Sequence, residues 1–397
     1  MRNLLVIACI CTLACNKAKD LQVAAVQPNN QSSKAKQSCD FGITNFNTIK
    51  RTAVADEFNG RKGKPLTSNG GGGSTTTATT SGGPVIFLDF DGGTVSGTSW
   101  NYAGDINCSS ANLTTAQVTE IFNRVSNDYS PFNVKVTTSQ SDYDAANPYK
   151  RTKVMITETY QWYGNGAGGV SFVGSFTWGN TPCFVFSLLL NYNTKMIAEA
   201  VSHEVGHTLG LYHQAKYDVN GVELSEYNYG QGSGEIGWAP IMGVGYYQNE
   251  TIWHNGPNPY GATSYQDDVA IITNAIGSTN TDDYPNTTSN AKLLTGSLDG
   301  LINNNGDIDF FYVDNTITKN ISVTPFSVAA NNTGANVDLV LKIYNSSGAL
   351  ISTVDNPSAL NVTTTLDPGK YYLAVTTIAN QYAGTYGMLG KYNITLQ

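Results

Sequence analysis

One segment, residues 203–213, constrains the fold of this chain more than any other. It reads His-Glu-Val-Gly-His-Thr-Leu-Gly-Leu-Tyr-His. Two histidines four positions apart in a helix lie on one face, so His203 and His207 can reach a common point. Gly210 allows the helix to end in a turn, because glycine adopts left-handed backbone angles at low cost. The segment therefore predicts a helix that stops near Gly210 and a chain that returns with His213 to the same point.

The same segment predicts a catalytic zinc centre. His203, His207 and His213 would supply three nitrogen ligands, the number typical of a zinc site with an open fourth position. Glu204 lies between the first two histidines and is placed to act as a base. The chain has only four histidines, and the remaining one, His254, is expected at the surface or the pocket rim rather than as a ligand.

Composition favours an exported, β-rich protein. Charged residues make up 13% of the 397 residues, and the net charge is -8. A chain with this charge offers no basic patch for phosphates, which excludes nucleic acid as a partner. The hydrophobic content of 40% is enough for buried cores, and the length predicts two or three domains.

Residues 1–15 are typical of a bacterial export signal. The apolar run at 4–14 follows a positive start and is too short to span a bilayer. The end of this run, Thr-Leu-Ala-Cys, is similar to a lipobox, although Thr12 stands at the usual leucine position. Lipidation of Cys15 would anchor the protein to the cell surface or outer membrane. Cleavage elsewhere, for example after Ala25, would instead release it.

Residues 16–83 are predicted to be a pro-segment or spacer. They are polar and lack sustained periodicity, and residues 67–83 have the glycine, serine and threonine content of a flexible linker. Beyond the signal, the chain has three cysteines. Export permits disulfides, and Cys108 with Cys183 is the pair that we expect, which leaves Cys39 unpaired.

Residues 84–282 are predicted to form an α+β domain. A continuous apolar run at 84–90 indicates a central, buried strand. Further strands are predicted at 132–137, 153–157 and 184–187. Helices are predicted at 114–129, capped by Thr114 or Thr115, from Asn193 or Thr194 to Leu209, and after a cap at Ser264. This order of elements implies a mixed sheet.

Residues 290–397 are predicted to form an all-β sandwich. Short strand-like segments alternate with turns such as the one at 345–348, which is the pattern of a two-sheet sandwich. The predicted strands are 310–313, 321–323, 337–344, 350–353, 361–366, 371–376 and 392–396.

Residues 84–280 resemble the metzincin clan of zinc metallopeptidases. The likeness rests on the complete motif at 203–213 and on Ala-Pro-Ile-Met-Gly at 239–243, which fits the clan's methionine-containing turn. The resemblance implies a zincin fold, a mixed twisted sheet with an active-site helix, in which the three histidines of the motif hold one zinc ion. It also implies that Met242 lies in a tight turn beneath the metal.

The chain departs from the metzincin pattern at two positions. Gln214 follows the third histidine, where members carry a family-marking residue, and it points to no particular family. Val244 stands two residues after Met242, where some members have a tyrosine that binds zinc or the transition state. Tyr246 is then either an oxyanion-stabilising group or a residue that packs near the pocket.

The resemblance also bears on the pro-segment. Metzincin pro-segments can block zinc with a cysteine or an aspartate. Cys39 and Asp40 are therefore candidates for a latency switch, and the alternative is a thiol in a tether with no such role.

Residues 290–397 resemble the bacterial pre-peptidase C-terminal domain, on the segments at 306–313 and 366–373. Such modules accompany secreted peptidases as β-sandwiches. The domain also contains a run of oxygen-bearing side chains that could bind calcium, although their spacing is not that of an EF-hand and a polar turn at the end of the sandwich explains them as well. These residues are Asp299, Asn303, Asn305, Asp307 and Asp309.

Together these features predict an exported zinc-dependent endopeptidase. Zinc would lower the pKa of a water to about 7 and polarise the scissile carbonyl. Glu204 would take the water's proton and deliver one to the leaving amine. A protein or peptide substrate would pair in extended form with a sheet edge, for which residues 166–174 are the candidate, and residues 243–253 would line the pocket.

Two other functions stay open at this point. One is a surface adhesion or binding protein whose metallopeptidase domain is vestigial, and the other is a zinc amidase acting on cell-wall peptide. The presence of Glu204 favours catalysis, because a binding protein has no need of the base.

Overall fold

The computed structural model describes residues 38–42, 67–68, 82–164, 166–329, 332–333 and 336–397, and gives only the backbone at 38–42, 67–68 and 332–333. Of these, the residues from Cys39 onward form one compact unit. Within the described ranges, no helix has the length and apolar character needed to cross a membrane. The predicted signal at 1–15, with Cys15, lies outside the described residues.

A seven-stranded mixed sheet underlies the region that carries the motif. The strands of this region are β1 (Ser38–Gly42), β2 (Thr67–Ser68), β3 (Val85–Asp89), β4 (Gly93–Val95), β5 (Ile106–Cys108), β6 (Lys135–Thr137), β7 (Arg151–Thr157), β8 (Ala167–Phe172) and β9 (Cys183–Phe186). The order across the sheet is β1-β8-β9-β7-β3-β6-β2, and β4 pairs with β5 as a separate hairpin. Strands β6, β3, β7 and β9 are parallel, whereas β8 and β2 are antiparallel to their neighbours β9 and β6.

Two helices pack on this sheet and begin where the sequence predicts. They are α1 (Thr115–Asp128) and α3 (Thr194–Thr208), and the short helix α2 (Gln140–Ala145) lies between them in the chain. The Thr114 side chain accepts a hydrogen bond from the backbone N–H of Gln117, and the Gln117 side chain accepts one from the backbone of Thr114. Asn193 caps α3 by accepting from the N–H of Met196. These caps satisfy backbone donors that have no partner inside the helix.

The segment between α3 and the last helix contains only very short strands. They pair as β10 (Lys216–Tyr217) with β11 (Glu223–Ser225), β12 (Trp238–Pro240) with β13 (Glu250–Ile252), and β14 (Asn255–Pro257) with β15 (Tyr265–Asp267). Strands of two or three residues are too short to show an alternating pattern. The last helix, α4 (Asp268–Ile276), is capped by Asp267. The prediction of Ser264 as its cap is wrong, because the chain is still extended as β15 after that residue.

The expected disulfide between Cys108 and Cys183 is also wrong, since both thiols are free. Successive side chains of a strand point to opposite sheet faces. In β9, Cys183 packs with the helices α1 and α3, whereas Phe184 packs with Cys108 in the cluster on the other face. The sheet therefore separates the two sulfur atoms. Burial raises the pKa of the Cys108 thiol to about 11.

The C-terminal region is the predicted β-sandwich, and with the mixed sheet it confirms the α+β fold class. Its strands are β16 (Lys292–Leu293), β17 (Ser297–Ile302), β18 (Asp309–Asn315), β19 (Lys319–Pro325), β20 (Ser327–Ala329), β21 (Asn332–Thr333), β22 (Leu339–Asn345), β23 (Leu350–Val354), β24 (Val362–Leu366), β25 (Gly369–Thr377) and β26 (Gly390–Leu396). One sheet has the order β16-β18-β25-β22-β23 and the other β17-β26-β19-β24. Strand β17 was missed, because only its last three residues are buried.

Buried amides connect the two regions. The Asn336 side chain donates to Asp128 Oδ1 at 2.7 Å and to the Thr251 carbonyl at 3.0 Å. Asn127, in α1, donates to Asn336 Oδ1 and accepts from the Lys391 N–H at 2.9 Å. These contacts link α1 directly to the sandwich. The domain limits at 84–282 and 290–397 stay predictions.

Candidate metal centre and active site

The three histidines of the motif meet in the interior of the protein. His203 and His207 lie on the last turns of α3, and Gly210, with a φ of 111°, turns the chain so that His213 returns to them. The ring centroids are 4.6 Å apart for the first pair, and His213 lies 5.2 and 4.9 Å from the two helix histidines. One nitrogen from each ring lies within 4.8 Å of the others. All three side chains are buried.

Each imidazole is oriented by an oxygen at its Nδ1 atom. The acceptors are the Ile241 carbonyl at 2.9 Å from His203, the Leu211 carbonyl at 2.7 Å from His207, and Glu226 Oε1 at 2.8 Å from His213. This arrangement places the proton on Nδ1 and makes Nε2 the ligand atom.

The donor set fits a zinc ion. Nε2 of His207 and Nε2 of His213 are buried without a hydrogen-bond partner, a costly state that a bound cation would relieve. Burial, together with the neighbouring histidines, lowers the pKa of His203 and of His207 well below the usual value. Both rings are therefore neutral, the form that binds metal.

Glu204 is fully buried beside strand β8, which lies between β1 and β9. Its Oε2 accepts a hydrogen bond of 2.5 Å from the Ser171 hydroxyl, which is also fully buried. A Cβ atom at Gly169 would lie 2.7 Å from Glu204 Cγ and 2.9 Å from the Phe184 carbonyl. Glycine at this position therefore allows β8 to approach Glu204. Within the glycine-rich stretch at 166–174, residues Ala167–Phe172 thus form a strand that lies against Glu204.

Met242 lies directly beneath the helix that carries the motif. A Cβ atom at Gly206 would be 2.5 Å from the Met242 sulfur, so glycine permits this contact. The turn closes through the Gly243 N–H, which donates to the Pro240 carbonyl at 2.9 Å. Gln214 N–H donates to the Met242 carbonyl at 2.7 Å. These bonds join the turn to the residue that follows the third histidine.

Gln214 holds the loop after His213 against α4. Its side chain donates to Asp268 Oδ1 at 2.9 Å, and Asp268 Oδ2 accepts from the His254 N–H at 3.0 Å. Burial raises the pKa of Asp268 to about 7. His254 is partly buried and is not one of the converging histidines. The residue at the family-marking position is therefore a structural link here.

Tyr246 and Val244 are buried in the same core cluster as Met242. Burial raises the pKa of Tyr246 well above its ordinary value, and the carboxylates of Glu204 and Glu199 raise it further. Tyr246 is therefore neutral, and it lies close enough to Glu204 for the charge of that carboxylate to raise its pKa.

Three residues of the site were missed from the sequence. Ser171 donates a hydrogen bond to Glu204, Glu226 orients His213, and the Tyr227 ring lies 4.2 Å from that of His213. The alternation of β8 could have indicated Ser171, since it shares a sheet face with Gly169. No spacing rule connects Glu226 or Tyr227 with the motif.

Comparison with known proteins agrees with this geometry. Residues 105–214 match the family described as Metallo-peptidase family M12B Reprolysin-like. No curated protein matches the chain. Similar solved structures include a pre-peptidase C-terminal domain of a collagenase from Bacillus anthracis, with 16% identity over 30% of this chain and 100% of that chain and a TM-score of 0.21. Another is PliG, a periplasmic inhibitor of g-type lysozyme from Aeromonas hydrophila, with 11% identity over 27% of this chain and 99% of that chain and a TM-score of 0.18.

The family match spans Glu204 and all three histidines of the motif. It confirms the sequence-based expectation of a metallopeptidase. Residues 105–214 of this chain are therefore similar to the reprolysin-like metallopeptidase family M12B.

Proposed function

We propose that this protein is an exported zinc-dependent endopeptidase that cleaves proteins or peptides. The observation that carries the proposal is the buried Glu204 carboxylate, held by Ser171 next to three converging histidines. A structural zinc site has no need for a base at this place, whereas hydrolysis does.

The reaction follows from the groups around Glu204. A zinc ion held by His203, His207 and His213 would supply Lewis acidity and lower the pKa of a water. Glu204 takes a proton from the attacking water and later delivers a proton to the leaving amine, so that the proton balance closes within one turnover. Ser171 fixes Oε2 and thereby the orientation of the carboxylate. We further propose that Tyr246 packs near the pocket and keeps the base in an apolar setting.

The substrate is proposed to lie in extended form along β8. This strand carries both Gly169 and Ser171 and so runs past the base. In the structure, β1 (Ser38–Gly42) occupies the place next to β8. The presence of a segment of the chain itself beside β8 supports the proposal that a peptide can be added there as a strand, which is a known mode of peptide recognition. The same pairing supports a pro-segment role for the region around Cys39 and Asp40, whose side chains are not described.

Export is proposed on the basis of residues 1–15 alone. A lipid on Cys15 would keep the protein at the cell surface, whereas cleavage after Ala25 would release it. Mass spectrometry of the mature N-terminus distinguishes these two forms directly.

The proposed activity is tested with the full-length protein, zinc-loaded, on unstructured protein substrates. We expect cleavage inside the chains, loss of cleavage after removal of zinc by a chelator, and recovery on adding zinc. Glu204→Ala should bind zinc at one ion per chain and reduce turnover by about a thousandfold or more.

Glu226→Gln serves as the matched control, because it preserves a hydrogen-bond acceptor for His213 and leaves the base in place. It should retain most activity when zinc is in excess. Equal cleavage by wild type and Glu204→Ala would refute the mechanism. Zinc binding without cleavage of any protein would favour the binding-protein alternative, and release of amide-linked peptides from cell wall alone would favour the amidase.

A further inference from the structure

The Asn336 side chain is buried between the sandwich and the region that carries the motif. It precedes β22 in the chain and is 4% exposed. Its amide nitrogen donates to Asp128 Oδ1 at 2.7 Å and to the Thr251 carbonyl at 3.0 Å, and its Oδ1 accepts from the Asn127 amide. Asn336 therefore bonds to two separate elements of the other region, the end of α1 and the strand β13.

The contact with α1 leads to the helix that carries the histidines. Asp128 is buried, and its Oδ2 accepts from the Ser202 hydroxyl at 2.5 Å. Ser202 immediately precedes His203 in α3, and the Ser202 carbonyl accepts from the Tyr129 hydroxyl at 2.8 Å. The Asp128 carboxylate thus joins Asn336, through one oxygen, to the turn of α3 that holds His203, through the other.

The contact with β13 leads to the group that orients the same histidine. Next to Thr251 in this strand, the Ile252 carbonyl accepts from the Ile241 N–H at 2.9 Å. The Ile241 carbonyl lies 2.9 Å from His203 Nδ1 and sets the direction of that ring. The Thr251 hydroxyl also donates to Glu199 Oε1, in α3, at 3.0 Å. Strand β13 is therefore joined both to α3 and to the carbonyl that holds His203.

We propose that Asn336 is a positioning residue for His203, so that the sandwich completes the metal centre of the other region. The inference rests on the proposed zinc-dependent function, which gives His203 a metal to bind. Asn336 acts through the two groups that fix His203, which are the α3 backbone at Ser202 and the Ile241 carbonyl. A ligand that is already oriented loses less freedom when it binds a metal, and this raises the affinity of the site.

The bonds at this position require an asparagine. An asparagine amide offers donors and an acceptor together, whereas an aspartate of the same shape has no donor when ionised and would add a second carboxylate beside Asp128. An apolar side chain would take a donor away from the buried Asp128 and Thr251 oxygens, which costs free energy. The sandwich also fixes the neighbouring Asn127, whose Oδ1 accepts from the Lys391 N–H at 2.9 Å.

Zinc affinity is measured on full-length Glu204→Ala protein, which cannot cleave itself by the proposed mechanism. Competition with a chromogenic chelator gives the dissociation constant of zinc, at a temperature where every variant is folded. Asn336→Asp in this background should weaken zinc binding by about tenfold. The added negative charge would by itself strengthen the binding of a cation, so a weaker affinity reports the loss of positioning.

Asn123→Asp is the matched control. Asn123, in α1, donates to the Val328 carbonyl of the sandwich at 2.8 Å, so the substitution removes an amide donor between the same two regions and introduces the same charge. Zinc affinity should stay unchanged in this variant, whatever its Tm. An equal loss of zinc affinity in Asn123→Asp would indicate a general loosening of the two regions and would overturn the proposal.

Ser202→Ala interrupts the same path from within α3. It should also weaken zinc binding, and its combination with Asn336→Asp should lose less affinity than the product of the two single effects, because both break one path. Fully multiplicative losses would contradict the proposed path.

If Asn336→Asp does not fold, Asn336→Ser, which cannot reach both acceptors, takes its place with the same expectations. Zinc affinity equal to that of the parent in the Asn336 variant would overturn this inference alone. A parent protein that binds no zinc would refute the proposed function together with it.

Discussion

Ser171 and Glu204 illustrate how single residues build this site. They are 33 positions apart in the chain, yet one hydroxyl and one carboxylate oxygen are 2.5 Å apart in the interior. Glu204 is recognisable from its motif, because the helical period alone places it next to the two histidines. Ser171 is recognisable only once β8 is known to lie against α3.

We expect Ser171→Ala to lower kcat by about 10- to 100-fold, since a hydrogen bond to a charged group contributes about 1.5–3 kcal/mol. KM and zinc content should change little, because the substitution frees the base to adopt unproductive orientations without removing a ligand. Steady-state kinetics on a peptide substrate provide the measurement. Ser171→Thr keeps the hydroxyl and should restore part of the rate. Ser187→Ala, at another fully buried serine, is the control, and a similar loss of kcat there would argue against a specific role for Ser171.

At the scale of elements, the start of a helix is predicted correctly where the helix begins with a clear capping residue. Helices α1 and α3 have polar caps at Thr114 and Asn193, and both begin within one residue of the predicted start. The start of α4 was placed too early, because Ser264 is also a good cap and only the pairing of β15 with β14 keeps the chain extended there. Local propensity does not report such pairing.

The pairing of β1 with β8 leads to a prediction for the precursor. If residues 38–42 block the substrate edge, Phe41→Pro should increase the activity of the uncleaved chain severalfold, because proline removes an N–H from the strand and disfavours its addition. Cys39→Ala with Asp40→Ala should do the same if those side chains also block zinc. The rate of peptide cleavage is measured while the chain is still uncleaved. Mass spectrometry checks that the N-terminal segment has not been removed.

Asn47→Ala with Asp56→Ala, elsewhere in the proposed pro-segment, serves as the control for this experiment. It should leave the activity of the precursor unchanged. If the uncleaved Phe41→Pro chain is no more active than uncleaved wild type, β1 does not block peptide binding along β8.

At the scale of the whole molecule, the sandwich is packed against the region that carries the motif through buried polar groups. Glu250, in β13, is fully buried, and its Oε2 accepts from Asn380 Nδ2 at 3.1 Å. The same amide donates to Asp338 Oδ2 at 3.0 Å. Burial, and then the charge of Asp338, raises the pKa of Glu250 to about 8. Glu250 is therefore protonated in the folded protein at neutral pH.

This pKa predicts a loss of stability with rising pH. The pKa of Glu250 is higher in the folded protein than in the unfolded chain. Its contribution to the free energy of unfolding is therefore fully present below about pH 4.5 and is lost as pH rises toward 8. Glu250→Gln does not titrate, so the free energy of unfolding of the variant relative to wild type should increase by roughly 3 kcal/mol between pH 5 and 8.

Urea unfolding at several pH values, with zinc in excess, measures this difference. Glu235→Gln is the control, because Glu235 also contacts the sandwich, through the Leu360 N–H, but is exposed. The free energy of unfolding of Glu235→Gln should change with pH in parallel with that of wild type. If the free energy of unfolding of Glu250→Gln also changes with pH in parallel with that of wild type, the prediction is contradicted.

The sequence was enough to predict the histidine segment with Glu204 and the two fold types, because helical and strand periods indicate which residues share a face. Which groups lie opposite those faces became known only from the folded chain. The fold placed Ser171 beside Glu204, put the sheet between Cys108 and Cys183, and brought Asn336 to Asp128. The physical reason is that periodicity encodes the direction of a side chain, whereas its partner depends on the order of strands and on the packing of distant segments.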